Sequence, residues 1–471
     1  MNKGKRLISN TLILGAGTFA SKLIVLLMMP FYTAWLSPEQ FGVADLVAQT
    51  ANMIIPIACI GLSEALFRFA LDCEDKKKVF STALTALFVG TVIMLVLLPM
   101  LSFFDTFDGY ILLIGAYVAF ANFHSVTAHY VRAKGKTALF AAQGIFNTAL
   151  TVVFNILFLL VFNIGAYGYV LSVVLGDLLS TVLVVFCARL WRDFSPKSFS
   201  KKTLAELLRF SIPYIPTTML WLVTSVSDRY IVKIFCGIEE TGLYAASYKI
   251  PTLLTLVATV FIEAWQFSAI KDADESERGT FFGKVFGSYM GIIFLASSVL
   301  IAGSKIFTGI LLDESYYSAW EYVPILVAAT IFSTFVSFVG SVYFVEKKSV
   351  LSMLTALAGA LINIILNFIL IPDHGAMGAA VATLISYLAV YIVRVVDSKK
   401  YIRFNTHTVL LLINALLIAA QTVVMYSGVR HYMLIQLGFI ALLGIVNLKG
   451  LLETVKEFIG LFFSVIRKRK N

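Results

Sequence analysis

This sequence is short of charge: 14% of its 471 residues are Asp, Glu, Lys or Arg, against about 25% in a soluble globular chain. Too few polar side chains remain to cover a soluble protein of this length, and no stretch is long and polar enough to form a soluble domain. Cysteine is scarce as well. Cys59, Cys73, Cys187 and Cys236 stand singly on or beside apolar segments, with no CxxC pair, so they read as small packing residues. His124 and His129 lie five apart, off the four-residue spacing of a helical metal pair, and both read as structural. No metal, no cofactor and no catalytic residue is expected. A GxxxxGK[ST] loop is missing, which excludes direct use of ATP. Ten-residue segments of alternating hydropathy are missing too, which excludes a porin-like barrel.

What the sequence has in excess is apolar length. Hydrophobic residues make up 59% of it, and the mean hydropathy is +0.89. A helix needs about 20 residues to cross the roughly 30 Å hydrocarbon core. Suitable runs fall at 7–36, 41–67, 79–101, 110–131, 137–162, 166–188, 208–235, 242–270, 285–306, 321–345, 350–371, 376–393, 408–427 and 432–448. They predict an all-α polytopic membrane protein of about 14 transmembrane helices, because backbone exposed to lipid must satisfy its own hydrogen bonds. Lys3, Lys5 and Arg6 precede the first run, which continues past Pro30 without a small-residue cleavage site and reads as a retained signal anchor. With the N-terminus inside, 31 of the 37 Lys and Arg fall in inside loops and tails. Only Lys305 and Arg430 lie outside, and Lys22, Arg229, Lys233 and Lys249 lie within spans. That asymmetry predicts cytoplasmic N- and C-termini. The net charge of +10 then belongs to loops facing anionic lipid, and no nucleic-acid partner is expected. Beyond Lys449 one helical face carries Leu451, Leu452, Val455, Phe458, Ile459 and Phe462 ahead of Arg467–Lys470, as in a helix lying on a membrane surface.

The two halves repeat one another. After the first span the turn reads Ser37-Pro-Glu-Gln-Phe-Gly42, and after the seventh Gly237-Ile-Glu-Glu-Thr-Gly242. Gly165-Ala-Tyr-Gly168 between spans five and six matches Gly375-Ala-Met-Gly378 between eleven and twelve. Six spans per repeat is an even number, so both repeats enter the membrane in the same sense. The predicted plan is two six-helix lobes related by a parallel repeat plus two extra C-terminal helices. Its segments are an N-lobe (1–190), a cytoplasmic linker (191–207), a C-lobe (208–403), the two added helices (404–448) and a basic amphipathic tail (449–471).

Polar residues inside spans are costly, which makes them functional candidates unless they reach an interface. Lys22 shares a helical face with Thr11, Gly15 and Thr18. Arg229 and Lys233 sit one turn apart near the outer end of span seven, where Lys233 can snorkel, and Lys249 lies two turns into span eight. Span seven carries Thr217, Trp221, Thr224 and Asp228 on one face, with Pro213 and Pro216 in its early turns, as in a bent gating helix. Asp45, Gln49 and Asn52 stripe span two, and Gln143, Asn147, Thr151 and Asn155 stripe span five. Amides of this kind also serve packing. Together the stripes predict a polar cavity lined by Asp45, Asn52, Asn147, Asn155 and Thr224. Asp177 and Glu64, with Glu263, are the candidate sites for a coupling proton or cation, although Glu64 and Glu263 stand near cytoplasmic ends. Gly283, Gly287 and Gly291 predict close packing of span nine.

Several passages resemble a known family: Leu36-Ser-Pro-Glu-Gln-Phe-Gly42, Gly61-Leu-Ser-Glu-Ala-Leu-Phe-Arg68, Ser227-Asp-Arg-Tyr230, Thr241-Gly-Leu-Tyr244 leading to Tyr248-Lys249, and Asn363–Gly378. In this order they are similar to polysaccharide-repeat-unit flippases, the Wzx type of the multidrug/oligosaccharidyl-lipid/polysaccharide exporter superfamily. The resemblance implies a bacterial inner-membrane protein that moves undecaprenyl-pyrophosphate-linked oligosaccharides to the outer leaflet by alternating access of two lobes. It implies a transporter, not an enzyme, whose products feed capsule, O-antigen or exopolysaccharide synthesis. Under it Arg229, Lys22 and Lys249, with Arg68 at the cytoplasmic mouth, take the diphosphate. Asp228 orients Arg229, while Trp221, Tyr244 and Tyr248 stack on sugars. Expected partners are the lipid-linked oligosaccharide, membrane lipids, a polysaccharide polymerase and export machinery, with a monomer as the functional unit. Two alternatives stay open: a cation-coupled drug antiporter of the same superfamily, and a membrane polymerase or ligase. Short outer loops disfavour the second.

Overall fold

In the computed structural model every regular element among the described residues is a helix. Described are residues 20–73, 75–103, 107–212, 214–271, 278–346 and 348–448, with 450 and 452. The Thr11, Gly15 and Thr18 face, and the tail apart from Gly450 and Leu452, lie outside them. Among the described residues nine helices are long and apolar enough to cross a membrane, and the shorter Ala20–Trp35 and Tyr432–Val446 are also apolar. The protein is an all-helical polytopic membrane protein.

Contacts divide it into two compact units, Met1–Ala245 with Leu311–Ser315, and Ala246–Ile310 with Tyr316–Asn471. The first unit contains α1 (Ala20–Trp35), α2 (Pro38–Ala58), α3 (Leu62–Asp72), α4 (Lys76–Leu97), α5 (Ile111–Ala133), α6 (Thr137–Asn155), α7 (Gly165–Ala188), α8 (Lys201–Ser211), α9 (Tyr214–Cys236) and most of α10 (Ile238–Ser247). Within it α9 packs along α2. Phe80 stacks on Tyr130 at 4.1 Å between α4 and α5. Buried Asp193 accepts from Lys134 and, at 3.3 Å, from the Tyr130 hydroxyl, so the loop after α7 is tied onto α5.

The second unit contains α11 (Lys249–Lys271), α12 (Arg278–Ala302), α13 (Ser304–Leu311, whose last residue belongs to the first unit), α14 (Val323–Val345), α15 (Ser349–Ser398), α16 (Thr408–Tyr426) and α17 (Tyr432–Val446). Phe286 and Tyr289 of α12 interlock with Phe335 and Phe338 of α14. The glycine stripe of α12 faces Asn405, His407 and Asn447, which seats α16 and α17. Amides fasten these last two helices: Asn414 and Asn447 exchange hydrogen bonds at 3.0 and 2.8 Å, and Gln421 donates to the Ser298 carbonyl at 2.9 Å. Inside lipid, where helices gain no hydrophobic drive toward one another, such bonds and close packing hold the contact.

The repeated turns share their geometry. Gly165 and Gly375 adopt φ of 53° and 57°, a left-handed conformation that a side chain resists. At Gly375 it breaks the 50-residue α15 into two helices. The first repeated turn has a further property. Ser37 caps α2 by accepting from the Gln40 amide at 3.2 Å while Gln40 reaches back to the Ser37 amide, a capping box. This start of α2 crosses the start of α10 with the two repeat-related glycines face to face. A Cβ on Gly42 would fall 2.4 Å from the Ile238 carbonyl oxygen, and one on Gly242 only 1.8 Å from that of Pro38. Gly242→Ala must therefore push the helices apart, at a cost of about 1–3 kcal/mol. It is expected to lower the melting temperature in detergent, whereas Gly144→Ala, with nothing within 4 Å of the added carbon, is expected to hold or raise it.

Candidate functional site

A cluster of charge lies buried where α9 packs on α2. Arg229 Nε stands 2.7 Å from Asp45 Oδ2, and Arg229 Nη1 3.9 Å from Asp228 Oδ1. The side chains of Arg229 and Asp45 are each 9% exposed and that of Asp228 is fully buried. The Arg229–Asp45 contact is a close ion pair. Around it, Asp228 Oδ2 accepts from the Tyr244 hydroxyl at 2.8 Å, and its Oδ1 accepts from the Arg229 amide at 2.9 Å. Gln49 donates to Asp45 Oδ1 at 3.4 Å. One turn along α2, Thr50 and Tyr230 share a hydrogen bond of 2.7 Å. Thus an ionic contact and a neutral hydrogen bond both join α2 to α9. A charge this far from water persists only when paired, and here two carboxylates flank one guanidinium.

This buried polar seam lies in an all-helical membrane fold with known counterparts. Residues 7–267, more than half of the chain, match the family described as polysaccharide biosynthesis protein. The chain belongs to that family. A membrane protein of Methanocaldococcus jannaschii is 25% identical over 258 residues, 51% of this chain and 60% of that protein, so the match leaves two fifths of that relative uncovered. Among solved structures, the lipid II flippase MurJ in an inward closed conformation superposes with a TM-score of 0.72 at 13% identity, covering 95% of this chain and 100% of that one. A multidrug resistance MATE family transporter of the MOP superfamily, in its outward-facing conformation, gives 0.60 at 14% identity, covering 84% and 95%. At such identities the likeness is one of fold: this polysaccharide biosynthesis protein has the fold of that superfamily.

Of the residues singled out in the sequence, Asp45, Asp228, Arg229 and Tyr244 meet in the cluster. Lys22 does not join it, since its side chain is exposed on α1. Tyr248 and Lys249 are half-buried at the start of α11, in the second unit. Arg68 is exposed and lines a 480 Å³ pocket with Phe69, Cys73 and Phe210. Buried Thr224 hydrogen-bonds back to the Leu220 carbonyl at 2.9 Å, Asn155 donates to the Tyr32 hydroxyl at 3.2 Å, and Asn52 is half-buried. The side chains of Thr217, Trp221 and Glu263 lie outside the described residues. Asp177 and Glu64 each face a histidine of α5, at 3.1 Å from His124 and 3.5 Å from His129.

One buried cation escaped the sequence reading. Arg394, placed just beyond the end of the twelfth span, is 2% exposed. It donates to the Thr355 hydroxyl at 3.0 Å, the Val336 carbonyl at 2.9 Å and the Ser352 carbonyl at 3.3 Å. Gly340 makes room for it, because a Cβ there would lie 2.5 Å from Nη1. That small residue one helix away is the only trace it leaves in the sequence.

Removing one partner of a buried ion pair strands the other charge, at about 3–5 kcal/mol. Asp45→Ala and Arg229→Ala are each expected to destabilise the protein strongly. The double variant should lose less than the sum of the two, with a coupling of about 0.5–3 kcal/mol in a double-mutant cycle of unfolding in detergent. Strictly additive losses would contradict the pair.

Proposed function

We propose that this protein is a flippase that carries undecaprenyl-pyrophosphate-linked oligosaccharide repeat units from the cytoplasmic to the outer leaflet of a bacterial inner membrane by alternating access, for surface polysaccharide synthesis. The carrying observation is membership of a polysaccharide biosynthesis family by a chain whose fold is that of membrane transporters. Such a chain serves the pathway best by moving its lipid-linked intermediates. The buried cluster supplies a way to couple substrate to motion. Arg229 is the cation offered to the diphosphate, and its planar fork suits phosphate oxygens. In the present conformation Asp45 occupies it, so the diphosphate must replace one anionic partner by another. That exchange removes the ionic link between α2 and α9, while the Thr50–Tyr230 hydrogen bond does not depend on it. A ligand that shifts a conformational equilibrium needs contacts that differ between the two states, and this exchange provides them.

The count of charge also favours a second reading. Two carboxylates around one guanidinium leave the cluster with a single negative charge when all three are ionised, which suits a cationic substrate or a coupling cation. A drug antiporter would change drug susceptibility on overexpression, and a flippase would not.

Under the flippase reading, Arg229→Lys keeps the charge but loses the fork, so it is expected to retain part of the polysaccharide export per molecule of inserted protein. Arg229→Ala is expected to abolish it. Wild-type export per molecule from Arg229→Ala would defeat the assignment. For orientation, a membrane-impermeant thiol reagent applied to intact cells should label a cysteine at Ser315 and spare one at Ser198, in a background lacking the four native cysteines. The opposite pattern would invert the topology.

A further inference from the structure

The first unit holds a second buried polar network that the diphosphate reading does not use. It joins three helices: His124 from α5, Gln143 and Asn147 from α6, Asp177 and Ser180 from α7. His124 Nδ1 lies 3.1 Å from Asp177 Oδ1, which also accepts from Asn147 Nδ2 at 2.7 Å. On the other side of the ring, Nε2 contacts Gln143 Oε1, and the Ser180 hydroxyl lies 3.3 Å away. Ser180 in turn donates to Gln143 Oε1 at 3.1 Å. Gly176 lets the helices come this close, since a Cβ there would stand 2.5 Å from Thr151 Oγ1 and 2.7 Å from Asn147 Oδ1.

Hydrogen-bond arithmetic decides what this network holds. A neutral imidazole has a single N–H. Spent on Asp177, it leaves the Nε2 lone pair against the carbonyl oxygen of Gln143, which repels it. With the Gln143 amide oxygen toward the ring, the second N–H of an imidazolium closes the arrangement; with the amide turned over, or the Ser180 hydroxyl turned to the ring, a neutral imidazole closes it. When the proton leaves, Nε2 needs a donor. Either the Gln143 amide turns over or the Ser180 hydroxyl swings from Gln143 to the ring, so proton loss entails a rearrangement shared by α5, α6 and α7. Histidine is the side chain whose ordinary titration, at about pH 6.5, lies closest to physiological pH.

The surroundings isolate the pair. Between Thr137 and Asn155, α6 carries no titratable side chain. On α5 the neighbours are Tyr117, which feels the charge of both Asp177 and Asp45, and His129. On α7 there is Tyr169, within reach of Asp45; on α2, Asp45 is held by Arg229; on α3, Glu64 is taken by His129. That second imidazole–carboxylate pair is open to its surroundings, with Glu64 50% exposed, whereas Asp177 is 10% and His124 16% exposed.

We propose that His124 with Asp177 is a proton-binding site of the transport cycle: the ring takes a proton from water on one side of the membrane at Nε2 and returns it to water on the other. The inference rests on the transport reading for the use made of the proton, not for its binding. Two experiments separate these. In nanodiscs with ¹⁵N-histidine, one titrating imidazole signal of the wild type should be lost in His124→Gln, which assigns it, and its midpoint should move in Asp177→Asn. In proteoliposomes carrying a fluorescent polyprenyl-diphosphate oligosaccharide, an imposed pH gradient should speed wild-type translocation several-fold. The ratio of rates with and without the gradient should fall to one in His124→Gln and Asp177→Asn, and recover in Asp177→Glu. Matched melting temperatures, which the near-isosteric amides should preserve, guard against misfolding. A wild-type ratio in His124→Gln, or the absence of a titrating His124, overturns the site. If His124 titrates but the wild type moves no lipid under any gradient, the flippase reading fails and the proton site stands.

Discussion

Compensation of charge away from water is the constraint on which this structure turns. A helix bundle in lipid can keep an ionised group only where a neighbouring helix supplies its counterpart. The protein meets that demand in three chemically different ways. Arg229 faces carboxylates on α2 and on its own helix; Asp177 faces an imidazole and an amide; Arg394 is wrapped by carbonyls and hydroxyls. Each solution fixes which helices are adjacent and at what height, so the polar residues set the register of packing that apolar side chains alone leave loose.

The solutions also differ in the chemistry open to each. Carbonyls and hydroxyls cannot change their charge, which suits Arg394 to a permanent fastening. A carboxylate on a guanidinium can be exchanged for another anion, and an imidazole on a carboxylate can lose its proton. Convertible pairs of this kind occur in the first unit, at the α2–α9 seam and within α5–α7. Glycine governs how closely the backbones approach there, as the crossing at Gly42 and Gly242 demonstrates.

Much of this was legible in one dimension. Apolar run length sets the class, and helices cover most of the expected runs where residues are described, although the run 41–67 is divided between α2 and α3 and the run 242–270 between α10 and α11. The repeated turns were read as matching strings. The structure supplies the reason for the match at Gly165 and Gly375, a backbone angle hostile to side chains, and at Gly42 and Gly242, a mutual crossing. Asp45, Asp228 and Arg229 were visible singly as polar residues in apolar surroundings. The pairing of Asp228 with Arg229 was expected, but that of Asp45 with Arg229 was not, because these two are separated by nearly two hundred positions and periodicity reports faces, not neighbours. The same blindness hid the His124–Asp177 pairing, since the test applied to histidine was spacing along one helix. Lys22, the deepest cation by sequence position, is exposed on α1; depth along a span does not say which way a side chain points. Arg394 was missed for the converse reason, a charge at the edge of a span that the fold then covers.

The proposed passage of a lipid-linked diphosphate oligosaccharide through this protein is tested by placing such a lipid, bearing a fluorescent sugar, in one leaflet of proteoliposomes containing the purified chain and following its accessibility to an external quencher or glycosidase. Equilibration between leaflets is expected to scale with the amount of protein and to be competed by unlabelled polyprenyl diphosphate oligosaccharide but not by organic cations. A rate equal to that of protein-free vesicles, together with gradient-driven uptake of an organic cation by the same preparation, would contradict it.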